Sequence, residues 1–271
     1  MPEDQWSIRI QAARDAQARS RYAFLASIVI SVALLIVVFN YEFSWLRNFA
    51  LGNHPEPPPG TVQEELLKER RKAWVQSTGL DISLLGVNVS ESDLSLLGSF
   101  GLYVLTIWFF YCMRRENHLI GSLLIDADRN NDKQISLTVY HGVASYTVFT
   151  TIGGDEPIKT VRPPPPRHTS PNRIRLINIG LLFLPAITIL AMIASDILSL
   201  FESSPMRKLD KPLWALLSFQ EWLHVAIVDG LAILIFAFTI TKCTEILKFE
   251  YATESVLREF DNLMFPRPVS A

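Results

Sequence analysis

Apolar residues are concentrated in four long stretches of the chain, and polar residues fill the segments between them. Each stretch can cross a hydrocarbon layer of about 30 Å as a helix, because a helix rises about 1.5 Å per residue. The pattern therefore predicts an all-α integral membrane protein, a four-helix bundle whose transmembrane helices lie at residues 22–39, 93–113, 176–200 and 222–244.

The first apolar stretch has to be distinguished from a cleaved signal peptide. It contains 18 residues, whereas the apolar part of a signal peptide has about 7–15. The residues that follow, Asn40-Tyr41-Glu42-Phe43, contain no small-residue cleavage pattern. We therefore expect this helix to be retained.

Both terminal segments are predicted to be amphipathic helices. In residues 1–21, the side chains of Trp6, Ile10 and Ala13 share one face, which predicts a helix lying at the lipid headgroups. Residues 245–271 predict a tail helix that lies on the membrane or packs on a partner. Its apolar face is predicted to contain Ile246, Phe249, Val256, Phe260 and Leu263, opposite a charged face of Lys248, Glu250, Glu254, Arg258 and Glu259.

Two connecting segments are predicted to lie on the side of the membrane opposite the termini. Residues 40–92 form the longer loop, and the charge and apolar pattern of residues 62–76 predicts a surface helix within it. Residues 201–221 form the second, shorter loop.

The segment at residues 114–175 is the largest polar piece, and it ends in a proline-rich linker at residues 162–167. Within it, residues 139–152 fit a helix by the spacing of their apolar side chains. They also fit a strand by their density of β-branched and aromatic residues. The fold of residues 126–160 therefore stays open between α and α+β.

The charges predict the orientation of the chain in the membrane. Lys and Arg number 25 against 27 Asp and Glu, a net charge of -2 that excludes a strongly basic nucleic-acid binder. Seventeen of the basic residues lie on the side of both termini and eight on the other side. Because basic residues favour the cytoplasmic side, we expect a multi-pass protein of the cell (inner) membrane with both termini in the cytoplasm.

Asp229, inside the fourth predicted helix, is the residue that most needs a partner. A carboxylate near the middle of a membrane helix costs at least about 2.5–3.5 kcal/mol unless it is paired, protonated or hydrated. Asp196, Glu221 and His224 are predicted to lie in the same half of the membrane. The site is either a proton or ion site or a structural hydrogen bond to another helix, for example to the carbonyl group that Pro185 frees.

Aromatic and basic residues end the second predicted membrane helix. Trp108 precedes Arg114 and Arg115, and aromatic rings followed by arginine are typical of a helix end at the lipid interface. We therefore expect these three residues to anchor the helix to lipid.

A polar run that begins at Asp128 resembles the first nine positions of an EF-hand calcium loop. The resemblance implies Asp128, Asn130 and Asp132 as metal ligands. However, Lys133 stands where the loop needs glycine, and Val139 stands where it needs a bidentate glutamate. We expect a polar turn here and no metal or other cofactor.

The sequence contains no recognisable catalytic motif, so we expect a non-enzymatic protein that acts through assembly. It would anchor or support a membrane complex, or form a homo-oligomer, with membrane lipid as a further partner and no nucleic acid. Two alternatives remain: an oligomeric ion or proton channel that uses Asp229, and a metal- or lipid-dependent membrane enzyme with a cytoplasmic site near His118 and His141.

Overall fold

The computed structural model describes residues 3–52, 80–82, 87–89, 91–130, 132–144, 172–201 and 219–264. Nearly all of them are helical, which confirms the all-α class. The only strands in this part of the chain form a hairpin in which Leu80 pairs with Val89. In chain order the elements are α1 (Glu3–Gly52), β1 (Leu80–Ile82), β2 (Val87–Val89), α2 (Glu91–Arg129), α3 (Lys133–Ala144), α4 (Asn172–Leu182), α5 (Leu184–Phe201) and α6 (Phe219–Met264).

Three of these helices are long and apolar enough to cross a membrane. They are α1, α2 and α6, with 50, 39 and 46 residues. The bent pair of α4 and α5 adds a fourth candidate when the two helices are counted as one span. The predicted surface helix at residues 62–76 and the linker at 162–167 lie outside the described residues.

Pro185 explains the bend between α4 and α5. The two helices meet at Phe183 at an angle of 51°. Proline has no backbone N–H and its ring collides with the carbonyl four residues earlier, so a regular helix cannot continue through it. At the break, the Cys243 thiol lies 3.5 Å from the Leu182 carbonyl oxygen and donates to it. The kink expected at Pro185 is therefore present.

The chain divides into two compact units. The first consists of Met1–Ile28, Val104–Leu184 and Ile240–Ala271, and the second of Val29–Tyr103 and Pro185–Thr239. Helices α1, α2 and α6 contribute residues to both.

In the first unit, α1, α2, α3 and α6 enclose an apolar cluster. Its residues recur at spacings of three and four, which keeps them on one side of each helix. The buried members are Trp6, Ile10, Ala13, Ile120, Leu123, Leu124, Ala127, Val139, Tyr140, Val143, Leu257 and Phe260. They lie in residues 3–21, 114–144 and 245–264, which we call the helical module.

The N-terminal helix differs from the prediction in its surroundings. Trp6, Ile10 and Ala13 do share one face, but this face is buried within the protein instead of facing lipid headgroups. The reason is that α2 continues to Arg129 and α6 to Met264, so both offer protein surface for α1 to cover.

Helix α3 decides part of the ambiguity over residues 139–152. Val139 and Val143 lie on its buried face, as the helical interpretation requires. The ring of Tyr140 stacks on Phe260 with 6.0 Å between the ring centroids. Residues 145–160 lie outside the described residues.

The inner face of the tail helix also differs from the prediction. Glu250 and Glu254, expected on the charged outer face, are buried, whereas Leu263 is 61% exposed. Ile246 and Phe260 are buried as predicted, so the buried face is wider than expected and includes two carboxyl-bearing residues.

Contacts between helices fix their directions in the first unit. Arg9 pairs with Asp126 at 2.7 Å, and Phe24 lies against Phe109, so α1 and α2 run antiparallel. The Asn117 amide donates to the Thr253 hydroxyl at 2.9 Å, and Phe110 lies against Phe249, so α2 and α6 run parallel. A second apolar cluster lies further along these helices and contains Ala23, Phe24, Phe109, Met113, Leu182 and Ile246.

The second unit has its own apolar core, formed by Leu102, Ile189, Met192, Ile193 and Ala232. Large apolar side chains also cover its outside, among them Val29, Ile36, Phe100, Ile187 and Leu234. An apolar interior together with an apolar exterior is typical of a helix bundle in lipid.

Candidate functional site

The structure brings Asp229 of α6 together with Asp196 of α5 in the second unit. Both side chains are partly buried, and a side-chain hydrogen bond joins the two carboxyl groups. Two carboxyl groups can hydrogen-bond only when one of them holds a proton, because an ionised carboxylate has no donor. The two carboxyl groups are therefore close neighbours in this unit. The Asp229 Oδ1 atom is buried and has no hydrogen-bond partner in the described part of the chain.

Of the other two residues predicted for this site, the structure describes one side chain. His224 is exposed near the beginning of α6, and the side chain of Glu221 lies outside the described residues. Of the four residues predicted, the structure thus joins the two aspartates.

The predicted lipid anchors are accessible. Arg114 and Arg115 are exposed on α2, and Trp108 is 46% exposed. Their contact with lipid stays a prediction.

The residues of the calcium-loop resemblance lie in a helix end and a turn. Asp128 belongs to the last turn of α2, and Asn130 follows that helix, with its backbone N–H donating to Asp126 and Ala127. The Asp132 carboxylate accepts from the backbone N–H of Gln134 at 2.9 Å. It thereby caps α3, the usual role of aspartate just before a helix.

The two histidines of the enzyme alternative are both exposed. His118 lies against Phe249 and His141 against Tyr140. Within the described ranges, no three His, Cys, Asp or Glu side chains are grouped so that they could hold a metal ion.

The sequence analysis missed a layer of buried polar side chains in the helical module. Along α1, α2 and α6 alike, these residues fall between the two apolar clusters of the first unit. We call them the polar layer: Gln17, Ser20, Glu116, Glu250, Thr253 and Glu254.

Glu116 is the most deeply buried carboxyl group of the polar layer, at 2% exposure. It lies three residues beyond the predicted membrane helix. Burial raises the pKa of Glu116 to about 7, although a hydrogen bond from Ser20 and the charge of Arg21 act in the opposite direction. Its Oε2 atom has no hydrogen-bond partner among the described residues.

Gln17 shares this environment on α1. Its side-chain N–H donates to the Val143 carbonyl at 2.9 Å and so ties α1 to the end of α3. Its Oε1 atom is buried, again without a partner in the described ranges. A signal for the layer was present in the sequence, because Glu116 stands three residues after Met113 and four before Ile120, on the same helical face.

Comparison with known proteins adds no relative: no protein-family model, no curated protein and no solved structure matches the chain.

Proposed function

We propose that this protein acts through assembly in a membrane, as an anchoring or accessory subunit of a complex or as a homo-oligomer. The observation that carries the proposal is the helical module. About 20 residues suffice for a helix to cross a bilayer, whereas α1, α2 and α6 have 50, 39 and 46. Parts of these helices beyond the predicted spans pack with α3 around a closed apolar core.

Direct bonds between helices also support a rigid module. Arg14 Nε donates to the Gly142 carbonyl at 3.0 Å, and the Ser136 hydroxyl donates to the Ala127 carbonyl at 3.2 Å. A rigid body presents a pre-formed surface, which lowers the entropy cost of binding a partner. In the orientation predicted from the basic residues, this surface faces the cytoplasm.

The module exposes apolar side chains that can be changed without touching its core. Ile8, Ile125 and Leu263 are exposed by 67%, 52% and 61% on three of its helices. We expect a triple variant, with Ser at these three positions, to lose co-purifying protein from native membranes by about tenfold, since 1.4 kcal/mol of lost contact energy corresponds to that factor.

The matched control places Ser at three exposed polar positions of the same module: Gln11, Lys133 and Glu259. It should retain the associated protein. Equal recovery from both variants and the wild type would show that this surface takes no part in assembly.

A second function, an ion or proton pathway through an oligomer, is favoured by the Asp196–Asp229 pair. A pair that shares one proton is suited to binding and releasing protons or small cations in a membrane. Asp229→Asn and Asp196→Asn should each reduce proton or cation flux into liposomes while leaving the oligomeric mass unchanged. Asp128→Asn, at an exposed position of α2, is the matched control. Wild-type flux in both pair variants would exclude this function.

A further inference from the structure

One member of the polar layer, Glu116, is a buried carboxyl group with a missing hydrogen bond among the described residues. Glu116 is 2% exposed, and its Oε2 atom has no partner in the described part of the chain. An ionised carboxylate in such a place is much more costly than a neutral one, because its charge loses water and gains too few hydrogen bonds in return.

The described groups around Glu116 leave its Oε2 atom without a hydrogen bond. From α1, the Ser20 hydroxyl hydrogen-bonds to the carboxyl group and Arg21 acts on it through its charge. The same hydroxyl also lies 3.2 Å from the Ala16 carbonyl, which competes for its single proton. On α2 itself, Cys112 is half-buried and Arg115 is exposed.

The helix α6 brings further acidic groups to this level. The Asn117–Thr253 bond sets Glu250 and Glu254 beside the part of α2 that carries Glu116. Both are buried, and Glu254 is paired with Arg258. Helix α3, which Gln17 ties to α1 close to this level, carries the exposed His141 and the buried Tyr140.

From this arrangement we propose that Glu116 is a protonation switch of the helical module. With its proton, the carboxyl group stays in the polar layer and the apolar clusters on either side remain packed. When the carboxyl group loses its proton, the charged carboxylate becomes hydrated and α1 separates from α2 at the polar layer. A protonated Glu116 also supplies an O–H donor in a layer where the Gln17 Oε1 acceptor lacks one among the described residues.

The direction of the pH effect follows from the raised pKa. Burial in the packed module raises the pKa of Glu116 from its ordinary value of 4.5 to about 7. The packed state therefore keeps its full stability below about pH 4.5 and loses the contribution of this group as the pH rises to about 7. Above that pH the contribution stays lost. A membrane protein with this switch would loosen its module as the compartment becomes alkaline.

The test is hydrogen–deuterium exchange of the full chain in lipid nanodiscs, comparing wild type with Glu116→Gln at pH 5 and pH 8. The amide keeps the shape of the side chain but carries no charge. We expect residues 10–24 and 110–124 to exchange at the same rate in both proteins at pH 5. At pH 8 they should exchange about tenfold faster in the wild type than in the variant, a factor that corresponds to 1.4 kcal/mol.

Comparing the two proteins at one pH removes the intrinsic pH dependence of exchange. Glu259→Gln, the same change at an exposed position of α6, should behave as the wild type at both pH values. Two results would overturn the switch: equal exchange of wild type and Glu116→Gln at pH 8, or a difference of the same size at both pH values.

If Glu116→Gln does not fold, the thermal midpoint of the wild type is compared at pH 5 and pH 8. The switch predicts a lower midpoint at pH 8, and equal midpoints would overturn it. Neither readout depends on a partner, so the switch stands or falls separately from assembly.

Discussion

Buried carboxyl groups distinguish the two units at the scale of single residues. In the second unit, Asp229 meets Asp196, and the Asp229 Oδ1 atom is buried without a hydrogen-bond partner among the described residues. In the first unit, Glu116 meets a hydroxyl and a nearby arginine, and one of its oxygens has no hydrogen-bond partner in the part of the chain that the structure describes. Both places are costly for a charge, so we expect the protonation state of each carboxyl group to affect the unit that contains it.

At the scale of single residues, a helix cap also stabilises the beginning of α3. Asp132 accepts from the Gln134 N–H and caps the helix, so Asp132→Ala should destabilise the protein by about 1 kcal/mol, the usual cost of a lost N-cap. Thermal unfolding in detergent would measure it. Asp128→Ala, an exposed aspartate just before the same turn, is the control and should change the midpoint little. Equal effects of the two substitutions would mean that Asp132 does not act as a cap.

At the scale of the elements, α3 is the helix that closes the module. Its buried face carries Val139 and Val143, while Thr138 is exposed. Val139→Asp places an unpaired charge in the apolar cluster and should open the first unit, whereas Thr138→Asp should leave it closed. The reporter is the thiol of Cys243, which is fully buried in this unit, in a Cys112→Ser background. Thiol labelling should accelerate for Val139→Asp alone, and slow labelling of both variants would contradict the closing role of α3.

The helices also show which features of the fold could be predicted from the sequence. The apolar stretches predicted the long helices, and Pro185 predicted the bend, because both depend on properties local to the chain. The inner face of α6 was predicted only in part, because Ile246 and Phe260 are buried as expected but Glu250 and Glu254 are buried as well. Apolar spacing favoured Leu263 inside and Glu250 outside. Which residues of α6 are buried also depends on the side chains of α1 and α2 that face them, and at the polar layer these are the polar residues Ser20, Gln17 and Asn117.

The same reasoning applies to the candidate sites. Asp229 stood out because a charge in an apolar stretch is costly in any fold, and Asp196 was one of its expected partners. The polar layer could not be assembled from sequence in the same way. Gln17 and Glu116 are almost a hundred residues apart, and their burial depends on the antiparallel register of α1 and α2, which local spacing does not contain.

At the scale of the whole molecule, the chain combines helices able to span a membrane with a module that continues three of them. The membrane helices would hold the protein in the bilayer, and the module would give it a rigid surface for other proteins. We therefore expect the protein to be found in a complex, because a rigid module lowers the entropy cost of binding another protein.

The mass of the protein extracted from its native membrane in mild detergent tests this account most directly. One chain has a mass of 30.7 kDa. We expect native mass spectrometry to find a defined complex, either a multiple of that mass or the chain together with a stoichiometric partner that proteomics identifies. A uniform species of 30.7 kDa without a partner would contradict the proposal that the protein acts through assembly.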